Sequence, residues 1–388
     1  MQPGKQYKLM SLNIGRIIGI PVRIHYTLWL VLLLIAWSLA EGYMPQHYPQ
    51  IQSVATYWAI GIVSAIVLFV SVFLHELSHS YIAKKNGLPI KRITLFFFGG
   101  VSEMGEEPKN PALEVRMAAA GPLTSFLIAI VLGAFWFLTM IVNGPIPVIA
   151  TLYYAALLNG VLGAFNLIPA FPLDGCRVLR GSLWSRSKNL LSATANATRV
   201  SEAISLLMMA VGLFFVVFGD FVNGLWIIFL GWFIRSGAET SLRQTRLTES
   251  LAGVRVGDIM TRELLSVSPD ASVQQLVSDY FLVHPHGGYP VISNGKLLGV
   301  VTMSSIRSIP RDKRDFERVS QAMVPFERTI TVSPTTPAID ALQIMAKNGV
   351  GRLIVMDGDK IAGMVTRGDL MKTMKARQEL GMWDLSHS

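Results

Sequence analysis

Residues 57–84 read YWAIGIVSAIVLFVSVFLHELSHSYIAK, an apolar stretch that carries the pattern H-E-x-x-H near its end. The apolar run up to Leu74 is long enough to cross a bilayer as a helix. His75 and His79 stand four residues apart, so a helix places both imidazoles on one face, where they can bind one metal ion. Glu76 lies beside them, in position to accept a proton from a water on the metal. A charged side chain at the bilayer centre costs about 2.5 kcal/mol or more, so the motif predicts a functional metal site.

The composition of the whole chain favours a polytopic membrane protein. Of its 388 residues, 51% are hydrophobic and only 15% are charged, and the mean hydropathy is +0.45. After about Arg243 the composition is that of a soluble domain. We therefore predict a membrane domain over residues 1–245 and a soluble domain over residues 246–388. The single cysteine, Cys176, excludes an internal disulfide and is typical of a protein in reducing surroundings.

Long apolar segments separated by turn residues predict six membrane-spanning helices. Residues 1–23 mix basic residues with short apolar pieces and are expected to form an interfacial lead-in. The run AAAGP at residues 118–122 predicts a close approach between the third span and the second, because small residues let helices pack tightly. The predicted spans are about 24–42, 57–83, 114–142, 148–168, 200–219 and 221–235.

The distribution of lysine and arginine predicts the orientation of these spans. The loops at 43–54, 142–147 and 219–223 contain neither residue, whereas the loops on the other side are basic. The positive-inside rule assigns basic loops to the cytoplasm, so both termini and the soluble domain are expected there. The same bias accounts for most of the formal net charge of +9. We therefore expect membrane lipid around the first domain and no nucleic-acid partner.

The metal site needs a third ligand, and the topology indicates where the chain supplies it. Spans two and four both run from the outside inwards, which brings the end of span four to the depth of His75 and His79. Asp174 follows that end, and residues 117–173 contain no aspartate, glutamate or histidine. Two imidazoles, one carboxylate and an open position form a catalytic zinc site. The alternative for Asp174 is an ordinary turn carboxylate. Weaker ligand candidates are His25, Glu103 and Cys176.

The two segments HELSH, at residues 75–79, and NLIPAFPLDG, at residues 166–175, together resemble the site-2 protease family of intramembrane zinc metalloproteases. The resemblance covers about residues 15–240. Cys176 departs from the pattern, because the family usually has glycine there, and we expect a local packing change without metal binding. The matching positions are His75, Glu76, His79, Asn166, Pro169, Pro172, Asp174 and Gly175.

The resemblance implies one catalytic zinc ion and hydrolysis of peptide bonds in or near the transmembrane segments of single-span membrane proteins, as in regulated intramembrane proteolysis. Glu76 is expected to take a proton from water and pass it to the leaving amine. In the family the residue that corresponds to Asn166 is thought to position substrate, and its amide can also donate to a developing oxyanion. The alternative is that Asn166 only caps carbonyls freed near Pro169.

Residues 93–103 form an apolar run broken by Gly99-Gly100, a pattern that indicates a strand or a β-hairpin. Two interpretations are open: a re-entrant hairpin at membrane depth, or a hairpin on the cytoplasmic surface. A transmembrane substrate must unwind before it is cut, because its helix has no free backbone groups. In the first interpretation an exposed strand edge pairs with the unwound substrate.

The soluble domain contains an internal repeat of about 64 residues within residues 256–380. The segment DIM at 258–260 corresponds to QAM at 321–323, and GVVT at 299–302 corresponds to GMVT at 363–366. Each copy has the pattern of a strand, a helix, two strands and a second helix, which predicts an α/β fold for this domain.

This repeat resembles a tandem pair of cystathionine-β-synthase (CBS) domains, at about 256–310 and 319–377. Such pairs commonly bind ATP or other adenine nucleotides, and Thr366 and Asp369 match the ribose-contacting pattern. The first copy has Ser305 where the second has Asp369, which argues against two equal sites. The alternative is a homodimerisation module without a ligand.

The predicted function is that of an intramembrane zinc metalloendopeptidase of the site-2 protease type, with a nucleotide-responsive CBS pair. The alternative from another class is a CBS-regulated metal-ion transporter. A transporter scatters polar groups over several spans, whereas the ionisable groups here form one cluster. A binding-only scaffold would not need Glu76.

Overall fold

The computed structural model describes residues 11–96, 99–104, 108, 110–284 and 286–380. By the density of its internal contacts the chain divides into two compact units, and the division falls between Arg243 and Gln244. The first unit is rich in long apolar helices, and the second is a smaller α/β unit. The two units are considered separately below.

Within the described residues, six helices are long and apolar enough to cross a membrane. The first of these, Thr27–His47, continues from α1 through a π-helical turn and one short helical turn. A shorter helix, α5, lies between the fourth and fifth spans and is not one of them. The helices are α1 (Thr27–Trp37), α2 (Val54–Lys85), α3 (Pro111–Ile141), α4 (Ile146–Asn166), α5 (Asp174–Ser187), α6 (Leu190–Val217) and α7 (Phe221–Ser250).

The prediction of six spans is confirmed, but several of the helix ends differ. Helix α6 begins well before the predicted residue 200, because the Asn189 side chain accepts a hydrogen bond from the Ser192 backbone N–H (2.7 Å) and caps the helix. Helix α7 continues past Arg235, and α5 was not predicted. Hydropathy marks where a helix is apolar, whereas capping residues determine where its hydrogen bonds begin.

A four-stranded sheet accompanies these helices, with strand order β1-β2-β3-β4. The outer pairs, β1 with β2 and β3 with β4, are antiparallel, whereas β2 and β3 are parallel. Strands β1 and β4 are therefore the two edges among the described strands. The strands are β1 (Ser11–Ile17), β2 (Ile20–His25), β3 (Ile90–Phe96) and β4 (Gly99–Met104).

In the segment predicted as an interfacial lead-in, residues 11–17 and 20–25 form strands, while its position at the membrane interface stays a prediction. Apolar side chains alternate at Ile20, Val22 and Ile24, and the first two of these are buried. This period of two is the signature of a half-buried strand. Strands β3 and β4 form the hairpin predicted within residues 93–103, while its re-entrant position in the membrane stays a prediction. Residues 97–98 lie outside the described residues.

The sheet packs against the second membrane helix. Ile93 and Leu95 of β3 form a buried cluster with Ile20 and Leu28, and side chains of α2 pack against it. The α2 side chains are Phe69, Val72 and Phe73, which precede the H-E-x-x-H motif, and Leu77, which lies within it. The sheet therefore lies beside the part of α2 that carries the two histidines.

The second unit contains two three-stranded sheets: one consists of strands of the second copy, and in the other two strands of the first copy pair with residues 324–325 at the start of the second. The second copy has the predicted order of strand, helix, two strands and helix, and in the first copy the leading strand is a single bridge from Val267 to Val291. One apolar core is formed mainly by the second copy but includes Val256, and the other is formed mainly by the first copy but includes Val319, so the two copies share core residues. The elements are β5 (Gly288–Ser293), β6 (Lys296–Thr302), β7 (Val324–Pro325), β8 (Thr331–Val332), α8 (Ala338–Asn348), β9 (Arg352–Asp357), β10 (Lys360–Thr366) and α9 (Arg367–Glu379).

Replacing Gly61 by leucine is expected to lower the free energy of unfolding by about 1–3 kcal/mol, the usual cost of overpacking. The reason is that a Cβ at Gly61 would lie 2.5 Å from the carbonyl oxygen of Ala36, where α2 crosses α1. Thermal unfolding of the purified protein in detergent measures the effect. Gly160→Leu is the matched control, because a Cβ there meets no heavy atom within 4 Å. Equal midpoints for the two variants would contradict the tight α1–α2 contact.

Candidate metal centre

Three side chains converge where α2 meets the start of α5. The Nε2 atoms of His75 and His79 each lie 3.1 Å from Oδ2 of Asp174. One potential ligand atom from each residue can be chosen so that all three lie within 4.8 Å of one another. The two histidines are buried, as their place one turn apart on a packed helix requires. The three residues predicted as ligands are thus brought together, whereas their binding of a metal stays a prediction.

The segment between α4 and α5 carries Asp174 to the histidines. Helix α4 ends at Asn166, and Pro169 and Pro172 occupy the irregular stretch before α5 begins at Asp174. A Cβ at Gly175 would lie 2.1 Å from the carbonyl oxygen of Leu167. Only glycine allows this close approach of backbone to backbone. The LDG sequence therefore folds the end of α4 back under the start of α5 and leaves the carboxylate at the site.

The other ring nitrogens of both histidines are held by α3. Nδ1 of His75 lies 2.9 Å from Oγ of Ser125, and Nδ1 of His79 lies 2.6 Å from the carbonyl oxygen of Met117. Contacts of this kind fix the orientation of a metal-ligating imidazole and direct its second nitrogen at the metal. Sequence reasoning missed Ser125 and Met117. The small-residue run on α3 was the available signal, since it predicted a close approach to α2.

Gly121 of α3 lies directly against the point where the ligands meet. A Cβ at this position would be 2.3 Å from Nε2 of His79 and 2.5 Å from Nε2 of His75. Any side chain would therefore fill the space in front of both nitrogens. Two imidazole nitrogens, one carboxylate and room beside them suit a catalytic zinc ion, which takes three protein ligands and keeps one open position. The residues present fit the metal.

Glu76 is half-buried and faces the sheet. A Cβ at Gly100 of β4 would lie 2.2 Å from Cγ of Glu76, so this edge strand contacts the side chain directly. The charges that act on the Glu76 carboxylate are those of His79, Asp174 and Arg177. The carboxylate is therefore within electrostatic reach of the metal ligands, at the place where the sheet edge meets α2.

Asn166 is the last residue of α4, and its Nδ2 donates a hydrogen bond to the carbonyl oxygen of Leu162 (2.9 Å). This contact agrees with the capping interpretation, in which the amide serves a carbonyl of its own helix. The side chain is half-buried, and its amide would have to turn away from Leu162 to reach a substrate. Both roles of Asn166 stay predictions.

Comparison with known proteins decides the family. The sequence model of Peptidase family M50 matches residues 63–144 and 138–212, and that of the CBS domain matches residues 256–312 and 319–376. Zinc metalloprotease MJ0392 of Methanocaldococcus jannaschii is 35% identical over 366 residues, which cover 94% of this chain and 96% of that protein. This chain belongs to peptidase family M50.

Two further proteins are similar to this M50 peptidase. Rip3 of Mycobacterium tuberculosis is 33% identical over 367 residues, covering 93% of this chain and 92% of that protein. A solved structure of the site-2 protease from Methanocaldococcus jannaschii is 37% identical and covers 60% of this chain and 95% of that one, with a TM-score of 0.39. The predicted class, a multi-pass zinc metalloprotease with a tandem CBS pair, is confirmed. Membership favours the peptidase over the metal-ion transporter.

The weaker ligand candidates of the M50 peptidase have other partners. Nδ1 of His25 lies 2.9 Å from Oγ1 of Thr27, and Glu103 forms an ion pair with Arg92 at 2.7 Å. Cys176 is buried in a cluster with Phe171, Ala197 and Ala238. Burial raises the pKa of the Cys176 thiol to about 11, although a contact with Ser201 opposes this rise. The thiol therefore stays protonated and packs as a small apolar group.

In the CBS pair, Thr366 and Asp369 form the N-terminal cap of α9. Oγ1 of Thr366 donates to Oδ2 of Asp369 (2.7 Å) and accepts from the Asp369 backbone N–H (3.3 Å). Thr302 and Ser305 cap the corresponding helix of the first copy, where the Ser305 N–H donates to Oγ1 of Thr302 (3.2 Å). The two copies thus share this local geometry, but the first copy has the hydroxyl of Ser305 where the second has the carboxylate of Asp369.

Gly121→Ala is expected to reduce zinc binding to a low level, because the added methyl group would occupy the space in front of both Nε2 atoms. Zinc content of the purified protein and competition with a chelator measure the effect. Gly133→Ala on the same helix is the control, since its Cβ would meet only the Ala156 Cβ at 4.0 Å. If Gly121→Ala keeps the parent's zinc affinity, the metal does not lie between these residues.

Proposed function

We propose that this M50 peptidase hydrolyses peptide bonds of single-span membrane proteins in or near the membrane, with one zinc ion held by His75, His79 and Asp174. The observation that carries the proposal is the convergence of these three side chains in front of Gly121. A site built only for stability would not need polar groups from α2 and α5 to meet against a residue without a side chain.

Each residue of the site has a separate task in this mechanism. When bound, zinc supplies Lewis-acid chemistry: it lowers the pKa of a water to about 7 and polarises the peptide carbonyl. Glu76 accepts the proton of the attacking water and delivers it to the nitrogen of the leaving amine. The Asn166 amide donates a hydrogen bond to substrate or to the oxygen that gains negative charge. Ser125 and the Met117 carbonyl keep the two imidazoles in orientation.

The edge strand β4 is the proposed docking element for substrate. A peptide pairs with an exposed strand edge through its main chain, which keeps it extended. Gly100 of β4 contacts Glu76, so a strand added at this edge would run beside the catalytic base. Ser102 of β4 also forms a hydrogen bond with Ser80 of α2, which ties the strand to the helix of the metal site. A re-entrant hairpin at membrane depth would present this edge to an unwound substrate.

The charge of the loops supports a cytoplasmic orientation for the termini and the CBS pair. The loops that follow the first, third and fifth spans contain no lysine or arginine. Residues 86–110 and 167–189, which follow the second and fourth spans, contain several. Basic loops stay in the cytoplasm during insertion. The single buried cysteine fits a reducing compartment.

The second CBS copy is the proposed site for an adenine nucleotide. Arg352 pairs in register with Thr366 across β9 and β10, so its side chain starts beside the Thr366–Asp369 cap. Its guanidinium packs on Gly288, whose Cβ would lie 2.2 Å from Nη1, and no ion pair with a carboxylate is found for it among the described residues. Burial lowers the pKa of the Arg352 guanidinium. A phosphate group would compensate this partly buried charge.

The first copy offers fewer such groups. Gly288 pairs in register with Thr302, as Arg352 does with Thr366, so the first copy has glycine where the second has arginine. Ser305 likewise replaces the carboxylate of Asp369. The two differences lie at equivalent positions of the two copies and make one nucleotide per pair the expected stoichiometry.

Glu76→Gln is expected to keep zinc and to lose cleavage by a factor of about 10²–10⁴, the usual contribution of a general acid–base group. Cleavage of a panel of single-span membrane proteins by the purified enzyme in detergent, with zinc content measured in parallel, checks this. Glu239→Gln, at an exposed position on α7, is the control. Equal cleavage by the parent and Glu76→Gln would contradict the role of Glu76. Zinc flux across vesicles without cleavage would favour the transporter.

Asp369→Ala and Arg352→Ala are each expected to weaken ATP or AMP binding about tenfold or more, because each removes a charge-assisted hydrogen bond to the nucleotide. Calorimetric titration of the full chain in detergent with ATP and with AMP measures the affinity. Asp359→Ala, in an exposed turn, is the control. Unchanged affinity in both variants, or no binding by the parent, would contradict a site at this cap and would favour a dimerisation module.

A further inference from the structure

A buried ion pair joins α3 to α5 beside the metal centre. Nε of Arg180 donates to Oε1 of Glu114 at 2.7 Å, and Nη2 of Arg180 also donates to this oxygen. Glu114 is 1% exposed and Arg180 is 7% exposed. Burying two charges costs several kcal/mol per ion, and apolar side chains of similar volume often stabilise such a contact equally well. Stability alone therefore does not explain this pair.

The pair lies on the face of α3 that serves the two histidines. Glu114, Met117, Gly121 and Ser125 are spaced by three, four and four residues, and all four are buried. This spacing puts them on one side of a helix. The same face therefore contacts α5 through Glu114 and the histidines through its other three members.

On α5 the pair is close to the third ligand. Arg180 follows Asp174 by six residues, roughly 9 Å along the helix axis. The guanidinium carbon also lies 5.8 Å from the ring centroid of Phe171, in the segment that leads into Asp174. Arg180 thus contacts both α3 and the chain that enters α5, and it fixes the first turns of the helix from two sides.

Close packing at one small residue specifies the register of α5 on α3 only weakly. A Cβ at Gly181 would lie 2.7 Å from Cγ2 of Val115 and 3.2 Å from the Pro111 carbonyl oxygen, so the helices touch through a residue without a side chain. Contacts between small residues are non-directional. The forked guanidinium and its carboxylate, by contrast, have a preferred geometry that specifies rotation and register.

We propose that Glu114 and Arg180 are positioning residues that hold α5 in register with α3, so that the Asp174 carboxylate meets the Nε2 atoms of both histidines. A slip of α5 by one residue would move Asp174 by about 1.5 Å and turn it by about 100°. Either change removes one ligand from the centre. The inference rests on the proposed metal site and assigns to the pair the task of completing it.

The test uses the full chain with Glu114→Gln and Arg180→Gln combined, because two amides remove both charges and leave neither buried alone. Zinc affinity, measured by chelator competition, is expected to fall about 10–100-fold, the usual effect of losing an outer partner of a metal site. The visible spectrum of the cobalt-substituted protein is expected to lose the strong absorption of a tetrahedral site. Arg180→Lys keeps the positive charge but loses the forked guanidinium, so its zinc affinity is expected to lie between those of the parent and the double variant.

Two controls separate positioning from general destabilisation. The combined Arg235→Gln and Glu239→Gln variant removes an exposed ion pair of 3.1 Å on α7 and should leave zinc affinity unchanged. Met44→Ala creates a cavity at a fully buried site in a separate cluster, so it should lower the thermal midpoint of the metal-free protein without changing zinc affinity.

The outcomes distinguish this inference from the metal site itself. A parent chain that binds no zinc overturns the metal site and the inference with it. If the parent binds zinc, and the double variant and Arg180→Lys both keep the parent's zinc affinity and cobalt spectrum, only the positioning role is overturned. If the double variant does not fold, Arg180→Lys decides the question. Weakened zinc binding in a variant whose thermal midpoint equals that of the parent supports positioning. Zinc binding equal to that of the parent refutes it.

Discussion

The structure of the membrane unit depends on the contact between the backbone of α3 and the two imidazoles of α2. Polar groups in an apolar surrounding must satisfy one another, because no solvent is there to do so. Helix α3 meets this requirement with one face: Ser125 and the Met117 carbonyl take the outer ring nitrogens, and Gly121 leaves the inner ones room. Helix α5 packs against α3, and the sheet packs against α2 beside the two histidines.

Much of this arrangement follows from local sequence rules. Spans of apolar residues predict helices, and the spacing of His75 and His79 predicts a shared face whatever the rest of the fold does. Asp174 could be predicted as the third residue of this cluster because residues 117–173 contain no acidic residue or histidine, and the topology brings the end of span four to the depth of the two histidines. These inferences needed only the period of a helix and the direction of each span.

The parts that sequence reasoning missed all depend on packing between distant segments. Ser125 and Glu114 look like ordinary helix residues until α2 and α5 lie against them, and neither has a motif of its own. Strands β1 and β2 are short, so their alternation was too brief to stand out beside basic residues. Helix α5 has too little apolar character for a span, although its regular backbone hydrogen bonds make it a helix.

The two copies of the CBS repeat illustrate the same division between local and tertiary information. Both copies build the same helix cap from different side chains, Thr302 with Ser305 and Thr366 with Asp369. The two copies therefore keep the same backbone geometry at this cap although the residue at its third helical position differs. What separates them chemically, glycine in one copy against arginine in the other, is visible only when strand register sets the two positions side by side.

The distance along the chain between the ligands has a consequence for biosynthesis. His79 and Asp174 are 95 residues apart, and the second follows two complete membrane spans that the first precedes. At about 5–20 residues per second, a ribosome adds this stretch in roughly 5–20 s. Throughout that interval the nascent protein has two imidazoles and no carboxylate partner, so the proposed metal centre is incomplete. A peptidase made in this order remains inert inside the insertion machinery until most of its own membrane unit exists.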